Sequence, residues 1–232
     1  MKKSEPGMWE KIKKGAYNLL NPILKLVIKT GITPNGITLI GFIITIFSAV
    51  ILIVGAETGI RGDTRYITWF GIVLLAAGLF DMLDGQLARK TGKMTKFGAL
   101  FDSVIDRYSE MIMFFGIAYY LVSYHYFLSG VLAFIAMIGS IMVSYVRARA
   151  EGLGVECKIG IMQRPERVLT IGISAILYGL ISHFTGTFKV EIDIFPYTLF
   201  ENISIFTIPI FIMAVLTNYT AFQRLNHCRK IM

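Results

Sequence analysis

A chain of 232 residues that is 55% hydrophobic and only 16% charged, with a mean hydropathy of +0.64, is too apolar for a water-soluble globule and reads as an integral membrane protein. Its net charge of +8 is that of loops facing anionic headgroups, and no nucleic-acid motif accompanies it, so no nucleic-acid partner is expected. Cys157 and Cys228 lie far apart in the sequence, fit no metal-ligand spacing and read as reduced bystanders.

Residues 1–33 interleave Lys2, Lys3, Lys11, Lys13, Lys14, Lys25 and Lys29 with Trp9, Ile12, Tyr17, Leu20, Ile23, Leu24, Val27 and Ile28. The pattern predicts an amphipathic helix in the membrane interface, interrupted at Asn21-Pro22, where Asn caps one segment and Pro starts the next. A signal peptide is the weaker reading, because Lys25 and Lys29 break the apolar run and there is no small-residue cleavage site. A solvated basic arm without function is the plainest one.

The turn Thr33-Pro34-Asn35-Gly36 delivers the chain into a first span over 37–54. A second span runs over 67–87 and a third over 97–122, with a short basic link between them. The fourth covers 126–146 and leads into the polar segment 144–168, SYVRARAEGLGVECKIGIMQRPERV. The fifth covers 168–181, reaching back to Pro165 if helical. The sixth covers 203–216, with Pro209 as a kink and a helical continuation toward Leu225. With no internal repeat and no low-complexity linker, the expectation is an all-α integral membrane protein: an arm over 1–33 and one six-helix membrane domain over 34–232.

Four aspartates interrupt this pattern where the second span ends and the third begins. Each charged side chain at a bilayer centre costs roughly 2.5–3.5 kcal/mol on translocon scales, so Asp81, Asp84, Asp102 and Asp106 require a reason. Asp81, Asp84, Gly85, Ala88 and Arg89 are offset by 3, 4, 7 and 8 residues and share one helical face. Gly98, Asp102 and Asp106 recur in steps of four on the next helix. If the two helices are antiparallel neighbours, the carboxylates meet and offer hard oxygen donors to Mg²⁺ or Mn²⁺, as one ion or a close pair. Gly85 and Ala88 leave room for a ligand against the backbone, and Arg89 supplies a phosphate donor. The face suits a metal-bound diphosphate.

The whole stretch, D-x₂-D-G-x₂-A-R-x₈-G-x₃-D-x₃-D, resembles the signature of the CDP-alcohol phosphotransferases at all eight positions. The resemblance implies a six-helix plan and transfer of a phosphate-linked group from a CDP-activated lipid, such as CDP-diacylglycerol, to an alcohol, with release of CMP. It makes Asp106 the general base and Asp81, Asp84, Asp102 and Asp106 the metal site. Gly85, Ala88, Arg89 and Gly98 then form the donor site with Asp81 and Asp84. It also implies a homodimer, and it places Asn35 near the nucleotide, although a helix cap explains Asn35 as well. No His, Cys or Ser nucleophile pair is evident in the stretch, which favours a single in-line displacement.

Arg147, Arg149, Arg164 and Arg167 flank the predicted site and suit an acceptor that carries its own phosphate, with Arg149 and Arg167 the first choices. Ordinary loop charge explains them equally well. The run SYVRARAEGLG followed by RPER resembles the prokaryotic branch that uses inositol phosphate and yields phosphatidylinositol phosphate, overlapping with relatives that use glycerol phosphate. Arg107 is expected to support the site by pairing with a carboxylate. His125 and His183 fall at the far side, as interface or loop residues.

Basic residues fix the orientation. Arg89, Lys90, Lys93 and Lys96 lie on the side of Arg147, Arg149, Lys158, Arg164, Arg167, Arg224, Arg229 and Lys230; only Arg61, Arg65 and Lys189 lie opposite. The motif therefore faces the cytoplasm, from a multi-pass position in the cell membrane. A membrane prenyltransferase would need two separated Asp-rich motifs. An ion-coupled transporter would need broken or repeated helices and gives no reason for Gly85, Ala88 and Arg89.

Overall fold

In a computed structural model, residues 8–186, 188–191 and 198–232 are described; Lys2 and Lys3 lie outside them, as do the side chains of Trp9, Lys11, Ile12, Lys13, Lys14 and Tyr17. Seven helices are present among these residues: α1 (Met8–Thr30), α2 (Pro34–Thr58), α3 (Thr64–Thr91), α4 (Lys96–Ser123), α5 (Phe127–Gly152), α6 (Arg164–Thr185) and α7 (Ser204–Ile231).

Local chemistry sets their ends. Thr33 caps α2 by accepting from the Gly36 amide at 3.2 Å, with Pro34 at the first helical position. Asp63 caps α3, and the adjacent Arg65 guanidinium holds its carboxyl below the usual carboxylate range. Gly92, at φ 65°, stops α3 in a left-handed conformation that glycine adopts without strain. Three residues on, Thr95 accepts from the Gly98 amide at 2.9 Å and starts α4. The basic link is thus only a few residues long, which holds the two halves of the motif at one end of the molecule.

Five helices, α2, α3, α5, α6 and α7, are long and apolar enough to cross a membrane. Helix α4 has 28 residues but carries Asp102, Asp106 and Arg107 in its first half and Glu110 at its midpoint. To within one residue the stretches expected as spans fall in α2 to α7, and α6 begins at Arg164, so the helix of the fifth stretch extends back through Pro165. Helix α7 continues past Pro209 to Ile231.

Two sequence expectations need correction. Helix α1 is not interrupted at Asn21-Pro22 but runs through Pro22. A proline inside a helix costs about 3 kcal/mol, yet Leu20 and Leu24 on either side are fully buried against Ile37, Leu83 and Leu87, a burial of comparable worth. Second, α3 and α4 are not packed neighbours. Helix packing closes a ring in the order α2, α3, α6, α7, α5, α4 and back to α2, with α1 against α3. The fold is all-α as expected, apart from a short antiparallel pair among the described residues, β1 (Lys189–Glu191) with β2 (Thr198–Glu201), between α6 and α7.

Small residues bring the ring helices together. A Cβ on Gly71 of α3 would lie 2.8 Å from the Gly172 carbonyl of α6, and one on Gly116 of α4 would lie 3.0 Å from Ala49 of α2. Inside the ring, Leu52, Phe70, Phe114, Ile117, Tyr120, Ile171, Tyr178, Phe206, Ile210 and Met213 form one apolar core. Phe47, Trp69, Phe134, Phe211 and Phe222 point outward and are exposed, as lipid-facing residues are.

Candidate active site

The core fills the ring toward the C-terminal half of α4, leaving the motif end polar. There α3 supplies Asp81, and α4 supplies Asp102 and Asp106 one turn apart. One oxygen from each lies within 4.8 Å of the others. The carboxylates meet even though their helices are not packed together, because α2 sits against both. Asp84 takes a different position: it is 7% exposed, and its Oδ2 accepts from Thr38 Oγ1 of α2 at 2.6 Å, outside the three-carboxylate group. Thr38 had no signal in the sequence, since it looks like one more residue of an apolar span.

The rest of the motif surrounds this group. The Arg89 guanidinium lies over Gly85, where an added Cβ would come to 3.7 Å from Nη2. An added Cβ on Gly98 would lie 3.3 Å from Asn35 Oδ1, so Asn35 reaches the motif from the first turn of α2 while Thr33 does the capping. Ala88 is half-buried on the same face of α3. On the outer side, Lys90 Nζ donates to Asn21 Oδ1 at 2.8 Å and ties α1 to the end of α3.

The arginines arrive from α5, α6 and α7. Arg164 Nη1 donates to Asp81 Oδ1 at 2.6 Å and stands 2.8 Å from Asp106 Oδ1. One turn later Arg167, 1% exposed, donates from Nε to Glu110 Oε1 at 2.5 Å and from Nη1 to the Met162 carbonyl at 2.5 Å. Arg224 donates from Nε to the Ile159 carbonyl at 2.8 Å and from Nη1 to the Val143 carbonyl at 2.7 Å. Arg147 pairs with Glu151 at 2.9 Å. These four, with Asp106 and Glu110, line a cavity of about 340 Å³.

Arg149 is exposed and does not line the cavity. Two residues along a helix turn by about 200°, so Arg147 and Arg149 cannot both face inward, whereas Arg164 and Arg167 can. Arg107 also departs from expectation: its Nη1 donates to the Ser103 carbonyl one turn back, and Asp106 pairs with Arg164 instead. Glu110 and Arg224 are among the cavity residues that were missed in the sequence. Glu110 follows Asp106 by four residues, a same-face spacing that marks it in retrospect; Arg224 reads from sequence only as terminal loop charge. Cys157 and Cys228, distant in sequence, are buried in one small cluster with Ala150 beside this end.

Hard oxygen donors on two helices, already spanned by one cationic group, fit a divalent ion. The Arg164 guanidinium bridging Asp81 and Asp106 shows that positive charge is favoured at that point.

The family model for CDP-alcohol phosphatidyltransferase matches residues 31–195. An archaetidylinositol phosphate synthase of Pyrococcus horikoshii is 39% identical over 174 residues, 73% of this chain and 82% of the relative. A crystal structure of Mycobacterium tuberculosis phosphatidylinositol phosphate synthase with CDP-DAG bound superposes with a TM-score of 0.69 at 26% identity, covering 91% of this chain and 94% of that one. The same enzyme in complex with manganese and citrate also gives 0.69 at 26% identity, over 89% of this chain and 87% of that one.

Proposed function

The chain belongs to the CDP-alcohol phosphatidyltransferase family, and on that premise we propose that it moves a phosphatidyl or archaetidyl group from a CDP-lipid to a hydroxyl of inositol phosphate, releasing CMP. The observation that carries this reading is a junction. Asp106 belongs both to the three-carboxylate group and to the wall of the arginine-lined cavity. A donor diphosphate at the carboxylates and a phosphorylated acceptor in the cavity would therefore meet at Asp106.

Asp81, Asp84, Asp102 and Asp106 hold Mg²⁺ or Mn²⁺ in this reading, with Asp84 kept in place by Thr38. A divalent ion held by these carboxylates would supply the charge that polarises the donor diphosphate and stabilises the departing CMP. Arg89, folded over Gly85, neutralises donor phosphate charge, and Ala88, Gly85 and Gly98 keep the approach to the backbone open. Asp106 takes the proton of the acceptor hydroxyl. Arg147, Arg164 and Arg167, joined by Arg224, give the acceptor phosphate its counter-charge, while Arg149 stands outside the cavity.

Residues 34–232 make up the catalytic domain, with α4 as a sixth span whose polar half is turned into the site. Residues 1–33 form an arm at the interface: Lys25 and Lys29 are exposed beside Ile23 and Leu26, an amphipathic arrangement that supports this placement. The basic residues around the motif support a cytoplasm-facing site. A homodimer is proposed from the family resemblance alone.

The test is metal-dependent CMP release by the purified protein from CDP-diacylglycerol and from a CDP-activated archaeal-type ether lipid. Inositol phosphate, glycerol 3-phosphate, inositol and serine are offered separately, with Asp106→Asn as the blank. Release with inositol phosphate is expected. Release only with glycerol 3-phosphate would replace the acceptor, and failure to bind either CDP-lipid would overturn the reading.

A further inference from the structure

Arg164 is the first residue of α6, where the Gln163–Glu166 capping box and Pro165 fix the backbone. Its reach into the site therefore depends on the side chain alone. Nη1 engages Asp81 Oδ1 at 2.6 Å and Asp106 Oδ1 at 2.8 Å, while Nε is buried without a hydrogen-bond partner among the described residues. The residue also lines the arginine cavity. One guanidinium thus faces two places, the carboxylate group and the cavity.

The two oxygens it engages come from residues of the converging trio. Lone pairs that accept from a guanidinium are withdrawn from a metal ion, and a divalent ion held among those carboxylates repels a guanidinium held on the same residues. Occupation of one end of the side chain therefore bears on the other. We propose that Arg164 is a resident counter-cation of the carboxylate group, displaced when a divalent ion binds and thereby released to an anion in the cavity. This rests on the proposed reading of the carboxylates as a metal site. Its consequence is cooperativity: metal and a phosphorylated ligand bind more tightly together than apart, and by linkage each raises the affinity of the other by the same factor.

The test uses the full-length protein, stripped with EDTA and titrated with Mn²⁺ by calorimetry and by the electron paramagnetic resonance of free Mn²⁺, without substrates. Arg164→Gln is expected to bind Mn²⁺ about tenfold more tightly than wild type, within the usual range of coupling between sites. Arg164→Lys, which keeps the charge, is expected to stay near wild type and serves as the second variant if the first does not fold. Melting in EDTA checks each fold. Unchanged or weaker Mn²⁺ binding in folded Arg164→Gln overturns the proposal, since a merely structural arginine leaves a looser site when removed.

The second arm titrates inositol phosphate with and without Mn²⁺. Wild type should gain at least about fivefold in affinity with the metal, and Arg164→Gln should gain little. An equal gain in both proteins means that the phosphate sits on the ion itself, and overturns the coupling through Arg164. No Mn²⁺ binding by wild type, with Asp81→Asn behaving identically, overturns the metal-site reading and the proposal with it.

Discussion

The two ends of the helix ring solve burial in opposite ways. At the far end the interior is aromatic and aliphatic: Phe70 and Phe206 meet edge to face at 6.3 Å, and the tyrosine hydroxyls find backbone carbonyls, Tyr124 with Gly55 at 2.6 Å and Tyr120 with Asp63 at 3.3 Å. At the motif end the same ring holds Asp81, Asp106, Arg164, Glu110 and Arg167, each paired with a residue of another helix. Apolar burial lowers the free energy of the fold outright. Buried charge lowers it only while every partner is present. Substitutions at the far end should therefore read as stability, and substitutions at the carboxylates as chemistry.

The largest expected effect tests the chemical side. Asp106→Asn keeps the shape of the residue but removes the proposed base, and turnover should fall by roughly 10²–10⁴-fold, with donor-lipid binding retained. The paired measurement is the melting temperature. A loss of stability that accounts for the lost turnover would mean that Asp106 belongs with the structural residues and would erase the contrast between the ends.

Phe206→Ala tests the other side. Phe206 is fully buried, and truncation should cost about 3–5 kcal/mol of stability. Acceptor and donor KM and the turnover of the folded fraction should stay as they are. A raised acceptor KM would show that the far end sets the shape of the cavity.

Much of this contrast was already legible in the sequence, and the parts that were not share a cause. Apolar runs locate α2 to α7 because lipid exposure demands them, and the fixed spacing of Asp81, Asp84, Asp102 and Asp106 brings the site to one end. Ring order was not legible. It depends on pairs such as Gly71 with Gly172 and Gly116 with Ala49, which sequence spacing alone does not match up. Helix α1 running through Pro22 is the same lesson, since Leu20 and Leu24 find partners on α2 and α3 that lie far along the chain. Arg149 was misplaced because a count of basic residues ignores helical phase, and Arg224 was missed because nothing in the sequence shows that α7 folds back to the Val143 and Ile159 carbonyls.

One pair lies on the boundary between the two behaviours. Glu110 and Arg167 sit at the motif end with side chains 2% and 1% exposed, so breaking them should look like a core mutation. Glu110→Leu alone leaves a buried guanidinium uncompensated and should cost about 3–5 kcal/mol. Combining Glu110→Leu with Arg167→Met should recover most of that stability while leaving the acceptor KM high, as urea melts and acceptor titrations would show. Recovery of both would place Arg167 among the structural residues.

The smallest effect sharpens the comparison from the far end. Tyr124 ties the last turn of α4 to the Gly55 carbonyl of α2, but that carbonyl also accepts from the Gly59 amide at 3.0 Å. Tyr124→Phe therefore removes a donor without stranding its acceptor, and the loss should be about 0.5–1.5 kcal/mol, toward the lower figure. For a chain of this size that is a shift of about 2–4 °C in melting temperature per kcal/mol. Turnover and both KM values should not move, because no charge at the motif end is touched. A change in acceptor KM of the size seen for a cavity arginine would mean that the α2–α4 contact transmits strain along the whole ring. The two ends would then be one cooperative unit rather than two.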